Sequence, residues 1–178
     1  GGVPCDVSLY SLLFHAGQFN TAPENLPVDL RLSADDQAAL WQNLDTIDVF
    51  TAGTAAASDD DEAARRLRHA MAYALTAVTE GRLTVADLTA RFHENPARIF
   101  GRPAQADTSV VVELDRPATK LTEPIWTADL RDGKGQPTRG YVSRVLLRGS
   151  TVFLDGRLLA TPGSGVAWAR TEAAAAKV

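Results

Sequence analysis

One run constrains this chain more than any other: Thr46-Ile47-Asp48-Val49-Phe50-Thr51-Ala52-Gly53-Thr54-Ala55-Ala56-Ala57. Residues 47–52 are short, mostly apolar and rich in β-formers, the pattern of a strand buried in a parallel sheet. The strand runs directly into a loop of small residues. A helix is expected on each side of it. Upstream, Ser33 can cap the first free amides, Asp35 and Asp36 suit the positive helix end, and Ala38, Leu40, Trp41 and Leu44 form a helical stripe. Downstream, Ser58 is expected to cap a helix reaching about Thr79, with Leu67, Met71, Leu75 and Val78 as its apolar side and Glu80-Gly81-Arg82 stopping it. The acids Asp59, Asp60, Asp61 and Glu62 then face the helix dipole and need not be read as a metal cluster. A second buried strand is expected at 3–8. Strands alternating with helices imply a parallel sheet with helices outside, an α/β fold.

The rest of the chain is read as follows. Residues 9–30 scatter Gly, Asn and Pro and read as a loop over the strand ends. Thr84 starts another helix that buries Val85, Leu88 and Phe92, and Asn95-Pro96 should interrupt it because proline disfavours helical backbone before it. A last short turn carries 97–100. From Asp107 the pattern turns to β: a strand at 109–114, a polar loop at 117–137 containing Trp126, and strands at 141–147 and 151–154 around the tight turn Arg148-Gly149-Ser150. Asp155-Gly156 marks a second turn before 157–160. The divisions expected are 1–101 for the parallel part, 102–165 for a small β-sandwich, and 166–178 for an Ala-rich tail or linker. Two strands cannot make a stable parallel barrel, and the chain starts with Gly1 rather than Met, so a preceding first half is expected.

Composition narrows the function. The chain has 178 residues, 45% hydrophobic and 22% charged, as in a globular domain. A net charge of −4 without a basic patch argues against a nucleic-acid partner. No apolar run approaches the roughly 20 residues of a membrane span. Cys5, the only cysteine, excludes an internal disulfide and suits the cytoplasm. His15, His69 and His93 share no metal-ligand spacing on one face and are expected in surface or packing roles. Asp48, at the start of the strand, is expected to accept a structural hydrogen bond.

Several segments resemble dihydroorotases of the amidohydrolase superfamily. Val3-Pro4-Cys5-Asp6-Val7 resembles the seventh barrel strand of that family, and 40–50 its last helix and eighth strand. Leu75-Thr76-Ala77-Val78-Thr79-Glu80-Gly81-Arg82-Leu83 is similar to its closing helix. Phe92-His93-Glu94-Asn95-Pro96-Ala97-Arg98-Ile99-Phe100-Gly101 is similar to the end of its barrel, and Arg144-Val145-Leu146-Leu147-Arg148-Gly149 and Leu154-Asp155-Gly156-Arg157 to its sandwich hairpins. The resemblance implies the C-terminal part of a (β/α)8 TIM-type barrel with a small antiparallel β-sandwich appendage. Active members follow the eighth strand with Ser-Asp-His-Ala-Pro-His, whose Asp binds metal and moves the proton. In the same register this chain has Gly53 for that Asp, Thr54 for the first His and Ala57 for the second. After the seventh strand, Pro-His-His becomes Leu9-Tyr10-Ser11, and Asp6 stands where the family has Glu. The loop carrying the family's substrate-binding Arg has Val28 in register, with Arg31 three residues away.

A binuclear zinc hydrolase needs a metal-activated hydroxide and a carboxylate to shuttle its proton. Glycine supplies neither. The resemblance is therefore nearest to the inactive dihydroorotase-like domains of fungal multifunctional proteins, between carbamoyl-phosphate synthetase and aspartate transcarbamoylase in pyrimidine (UMP) biosynthesis. It implies a non-catalytic scaffold with no cofactor or metal, self-association, and as partners the N-terminal half of the same barrel and the two flanking enzymes. Asp6 would be vestigial or would pair with a cation from the other half, and Tyr10 would fill volume left by a lost metal. The alternatives are a working zinc dihydroorotase and a pocket for a small anion.

Overall fold

A computed structural model describes residues 3–103, 105–117 and 138–165. Strand β1 (Asp6–Ser8) and strand β2 (Val49–Thr51) pair in parallel, with Asp6 opposite Val49 and Ser8 opposite Thr51. β1 is shorter than its apolar run suggests, and Val3 is 92% exposed. Asp48 does the expected structural work: its Oδ2 accepts from the Cys5 amide at 3.0 Å and holds the two strand entries together.

Residues 9–30 are not an open loop. Ser8 caps helix α1 (Leu9–Leu13) by accepting from the Tyr10 amide, and every residue of α1 is buried. Three 3-10 turns follow, at Ala16–Gln18, Pro23–Asn25 and Val28–Leu30. The prolines and glycine shape these turns, while Leu9, Leu12, Leu13, Phe14, Phe19, Leu26 and Leu30 fill the core. Phe14 meets Tyr73 edge-to-face at 5.3 Å.

Helix α2 (Ala34–Gln42) starts at the expected Ser33, which exchanges hydrogen bonds with Asp36 in a capping box. Leu40, Trp41 and Leu44 pack on the core, but Ala38 faces out. Helix α3 (Asp60–Thr79) ends where expected but is capped by Asp59, whose carboxylate accepts from the Glu62 amide. Ser58 sits one residue too early to cap and donates its hydroxyl to the Glu62 carboxylate instead, at 2.6 Å. The buried face of α3 is wider than the expected one: Leu75 is buried and Met71 and Val78 pack on the core as expected. Leu67 is 61% exposed, while Glu62, Arg66, His69, Ala70, Tyr73, Ala74 and Ala77 are buried. Small alanines bring the helix close to its neighbours, and the polar residues at its start have buried partners.

Thr84 caps helix α4 (Val85–Thr89) in a box with Asp87. Leu88 is buried, but Val85 is 46% exposed. The expected break at Asn95-Pro96 is absent. The chain passes through a π-helical turn (Ala90–Glu94) into helix α5 (Asn95–Ile99), and Asn95 keeps helical angles of −63° and −48°. The Asn95 amide reaches back to the Ala90 carbonyl, and this wider turn accommodates the proline that an α-helical interior would reject. The π turn also aims Arg91 inward. Its guanidinium donates to the carbonyls of Ile47 (3.0 Å) and Leu44 (2.8 Å), and Asn95 Nδ2 donates to that of Asp48. The entry to β2 is thereby clamped.

Strands β3 (Ser109–Pro117), β4 (Arg139–Leu147), β5 (Ser150–Leu154) and β6 (Arg157–Leu158) form one antiparallel meander in chain order. Both hairpin turns have two central residues, Arg148-Gly149 and Asp155-Gly156, at positive φ, as primed turns require. The sheet is tied to α3 through Thr76, whose Oγ1 accepts from the Arg139 amide at 2.8 Å. Among the described residues there is therefore a two-stranded parallel ladder, not a closed barrel, and a single antiparallel sheet rather than a two-sheet sandwich. Most of the polar loop expected at 117–137, with Trp126, and the Ala-rich tail lie outside the described residues; Pro117 ends β3. No described helix is long and apolar enough to cross a membrane.

Candidate functional site at the strand ends

In α/β folds of this kind, chemistry belongs at the carboxyl ends of the parallel strands. Here those ends are Ser8 and the Ala52-Gly53 segment. Between them lies Arg66 of α3, the largest fully buried side chain, at 0% exposure. Its Nη1 donates to Asp29 Oδ2 at 2.7 Å and to the Gly53 carbonyl at 2.7 Å. Nη2 donates to Asp29 Oδ1 at 3.1 Å, completing a bidentate fork. Nε donates to Glu62 Oε1 at 3.1 Å, one helical turn back. Ser8 Oγ donates to Asp29 Oδ2 at 2.7 Å, and Ser11 Oγ to the Asp29 carbonyl at 2.7 Å. The 3-10 turn carrying Asp29, the loop after β2 and the start of α3 thus meet on one guanidinium, and β1 joins them through the Ser8–Asp29 hydrogen bond.

The surrounding electrostatics hold this state. Burial works against the charge of Glu62, but hydrogen bonds from the Ser58 hydroxyl and amide and from Arg66 outweigh it, and its pKa falls below the usual carboxylate value. Tyr10 is 1% exposed; its ring lies 5.2 Å from the guanidinium carbon, and its hydroxyl donates to the Arg66 carbonyl at 2.9 Å. Burial pushes the Tyr10 phenol well above its ordinary range, and burial lifts Tyr73 to about 12. Neither phenol is poised to exchange a proton near neutral pH.

Gly53 shows how full the site is. It has φ +60°, and a Cβ built on it would lie 2.3 Å from Asp29 Oδ2, 2.6 Å from Arg66 Nη1 and 2.6 Å from Ser8 Oγ. No side chain fits there without displacing the network. A metal held at this strand end therefore does not fit the residues present: position 53 offers no ligand, and the space beside it holds a cation already. Among the described residues no group of three or more His, Cys, Asp or Glu could hold a metal ion.

The structure separates the other sequence candidates. Ser11 and Tyr10 are at the site. Thr54 is exposed and Ala57 half-buried, on the 3-10 turn beyond Gly53. Asp6 is exposed at the start of β1. Val28 is 65% exposed, and Arg31 turns back to donate to the Leu26 carbonyl at 2.7 Å. His15 lies on a 3-10 turn, His69 is buried on α3 and His93 is exposed. Sequence reasoning missed Asp29, Glu62 and Arg66 as a unit. The Glu62–Arg66 spacing was a visible signal; nothing marked Asp29, which is 37 positions from its partner.

Comparison with known proteins gives the class. No family model matches the chain. The chain is 38% identical over 159 residues to the multifunctional protein pyrABCN of Emericella nidulans, covering 88% of this chain and 6% of that protein. Among solved structures it is similar to the inactive dihydroorotase-like domain of a Chaetomium thermophilum CAD-like multifunctional protein. There the TM-score is 0.67 and the identity 32%, covering 92% of this chain and 47% of that one. L-Hydantoinase (dihydropyrimidinase) from Arthrobacter aurescens matches with a TM-score of 0.62 at 19% identity, a likeness of fold. The fold is thus that of the amidohydrolase class. The chain belongs to the dihydroorotase-like domain of fungal CAD-like multifunctional proteins, and it spans under half the length of the solved domain it matches.

Proposed function

We propose that this domain is a non-catalytic scaffold within a pyrimidine-biosynthesis multifunctional protein. The observation that carries the reading is the buried Arg66–Asp29–Glu62 cluster filling the strand ends beside Gly53. A hydrolase of cyclic amides needs an activated water and a carboxylate base there, and this chain puts a desolvated cluster of one guanidinium and two carboxylates in that space. The similarity to a domain described as inactive supports the same reading. In the complete protein the remaining half of the domain completes a (β/α)8 barrel and a β-sandwich around this chain. The whole connects carbamoyl-phosphate synthetase to aspartate transcarbamoylase in the cytoplasm, self-associates, and uses neither zinc nor another cofactor in this domain.

The test is ring-opening of dihydroorotate by the complete multifunctional protein with zinc supplied. Turnover at background supports the scaffold. Turnover that rises with added zinc overturns it and restores the alternative of a working zinc dihydroorotase. A thermal-shift titration with dihydroorotate and carbamoyl-aspartate should be flat; a saturable stabilisation would instead favour a small-anion pocket.

A further inference from the structure

We infer that Arg66 is a tethered cation: its guanidinium does by covalent attachment what a bound cation would do, neutralising and gathering the acidic groups at the strand ends. This deepens the scaffold reading and rests on it, because a domain kept for shape still has to hold four chain segments together where chemistry has gone. Three observations carry it. First, the groups around the guanidinium are those of a cation site: the carboxylates of Asp29 and Glu62 and the carbonyl oxygen of Gly53, at 2.7–3.1 Å. Second, they come from separate segments, the 3-10 turn at Val28–Leu30, the loop after β2 and the first turn of α3, so their mutual position depends on the charge between them. Third, Arg66 is fully buried, and Asp29 and Glu62 have side chains only 9% and 8% exposed. An ion pair so shielded from water is not replaced by solvent when its cation is removed.

The alternative is that Arg66 serves by shape, as a long side chain packed under Tyr10. Charge and shape are separable. Arg66→Met keeps most of the volume and removes the charge. Adding Asp29→Asn and Glu62→Gln to it removes the acids that needed neutralising. The variants are made in the complete multifunctional protein and read by amide hydrogen exchange in peptides covering 47–66, which reports local opening.

With R66M these peptides should exchange at least roughly tenfold faster than wild type, because two buried carboxylates lose their counter-charge. In the triple variant R66M/D29N/E62Q most of that acceleration should disappear. R66K, which keeps the charge without the fork, should fall between wild type and R66M. If R66M fails to accumulate in soluble form while the triple variant does, the inference stands. Unchanged exchange in R66M overturns it, and so does a triple variant as labile as R66M or equally insoluble, since either result assigns Arg66 a packing role. Dihydroorotate turnover by the wild-type protein is a separate readout: it would sink the scaffold reading and leave the charge test to be decided on its own.

Discussion

Adding a single methyl group at position 53 tests the site most simply. Gly53→Ala forces a Cβ into left-handed backbone and against Asp29, Arg66 and Ser8, so it should lower stability by roughly 2–4 kcal/mol. Thermal or urea unfolding of the complete protein, with the transition assigned to this domain, measures it. Glu62 offers a pH test. Its folded pKa lies below its ordinary value of 4.5, so its contribution to stability is complete above the unfolded pKa and is lost as pH falls through the folded one. The stability gap between wild type and Glu62→Gln should therefore be widest near neutrality and narrow on acidification below about pH 4.5, where an unfolding series across pH would show it. At this scale the sequence was half legible. The register proposes a lost group at Gly53, because an absence can be read in a linear string. The cluster beside it could not be read, because Asp29, Ser8 and Arg66 meet only after the strands, the 3-10 turn and α3 have packed.

The elements were clearer where local rules decide. Ser33 and Thr84 cap their helices because each is followed three residues later by an acid that returns the hydrogen bond. The same logic applied to Ser58 came out one residue early, since Asp59 is an equally good cap and Glu62 draws the Ser58 hydroxyl away. The face of α3 was legible only in part for a related reason. Apolar periodicity selected Met71, Leu75 and Val78, which pack on the core, and Leu67, which is exposed; it passed over Glu62, Arg66 and small alanines, whose burial depends on distant partners. The π turn escaped because the rule for proline describes a free chain, and here Arg91 and Asn95 anchor the segment to β2 carbonyls. One element-level link can be tested directly. Thr76→Val preserves shape but deprives the Arg139 amide of its acceptor, and should cost about 1–2 kcal/mol. Hydrogen exchange should place the loss in β4 and not in β1 or β2.

For the whole molecule, two halves of the reading differ in kind. The α/β order and the hairpins follow from local pattern, and the structure contains both, with primed turns where Arg148-Gly149 and Asp155-Gly156 stand. The closed barrel came from resemblance, and two parallel strands belong to such a barrel only when the rest of the domain is beside them. The crowding at Gly53 has a consequence on another axis, that of history. A side chain at 53 and the Arg66–Asp29 pair claim the same space, so a change at one calls for a change at the other. A carboxylate introduced at 53 meets the side-chain ends of Asp29, Arg66 and Ser8, which would have to move together; removing Arg66 first takes the guanidinium from Asp29 and Glu62. Either step alone is expected to lower stability. On the scaffold reading, the strand ends thus act as a ratchet that resists change at any one of these positions alone.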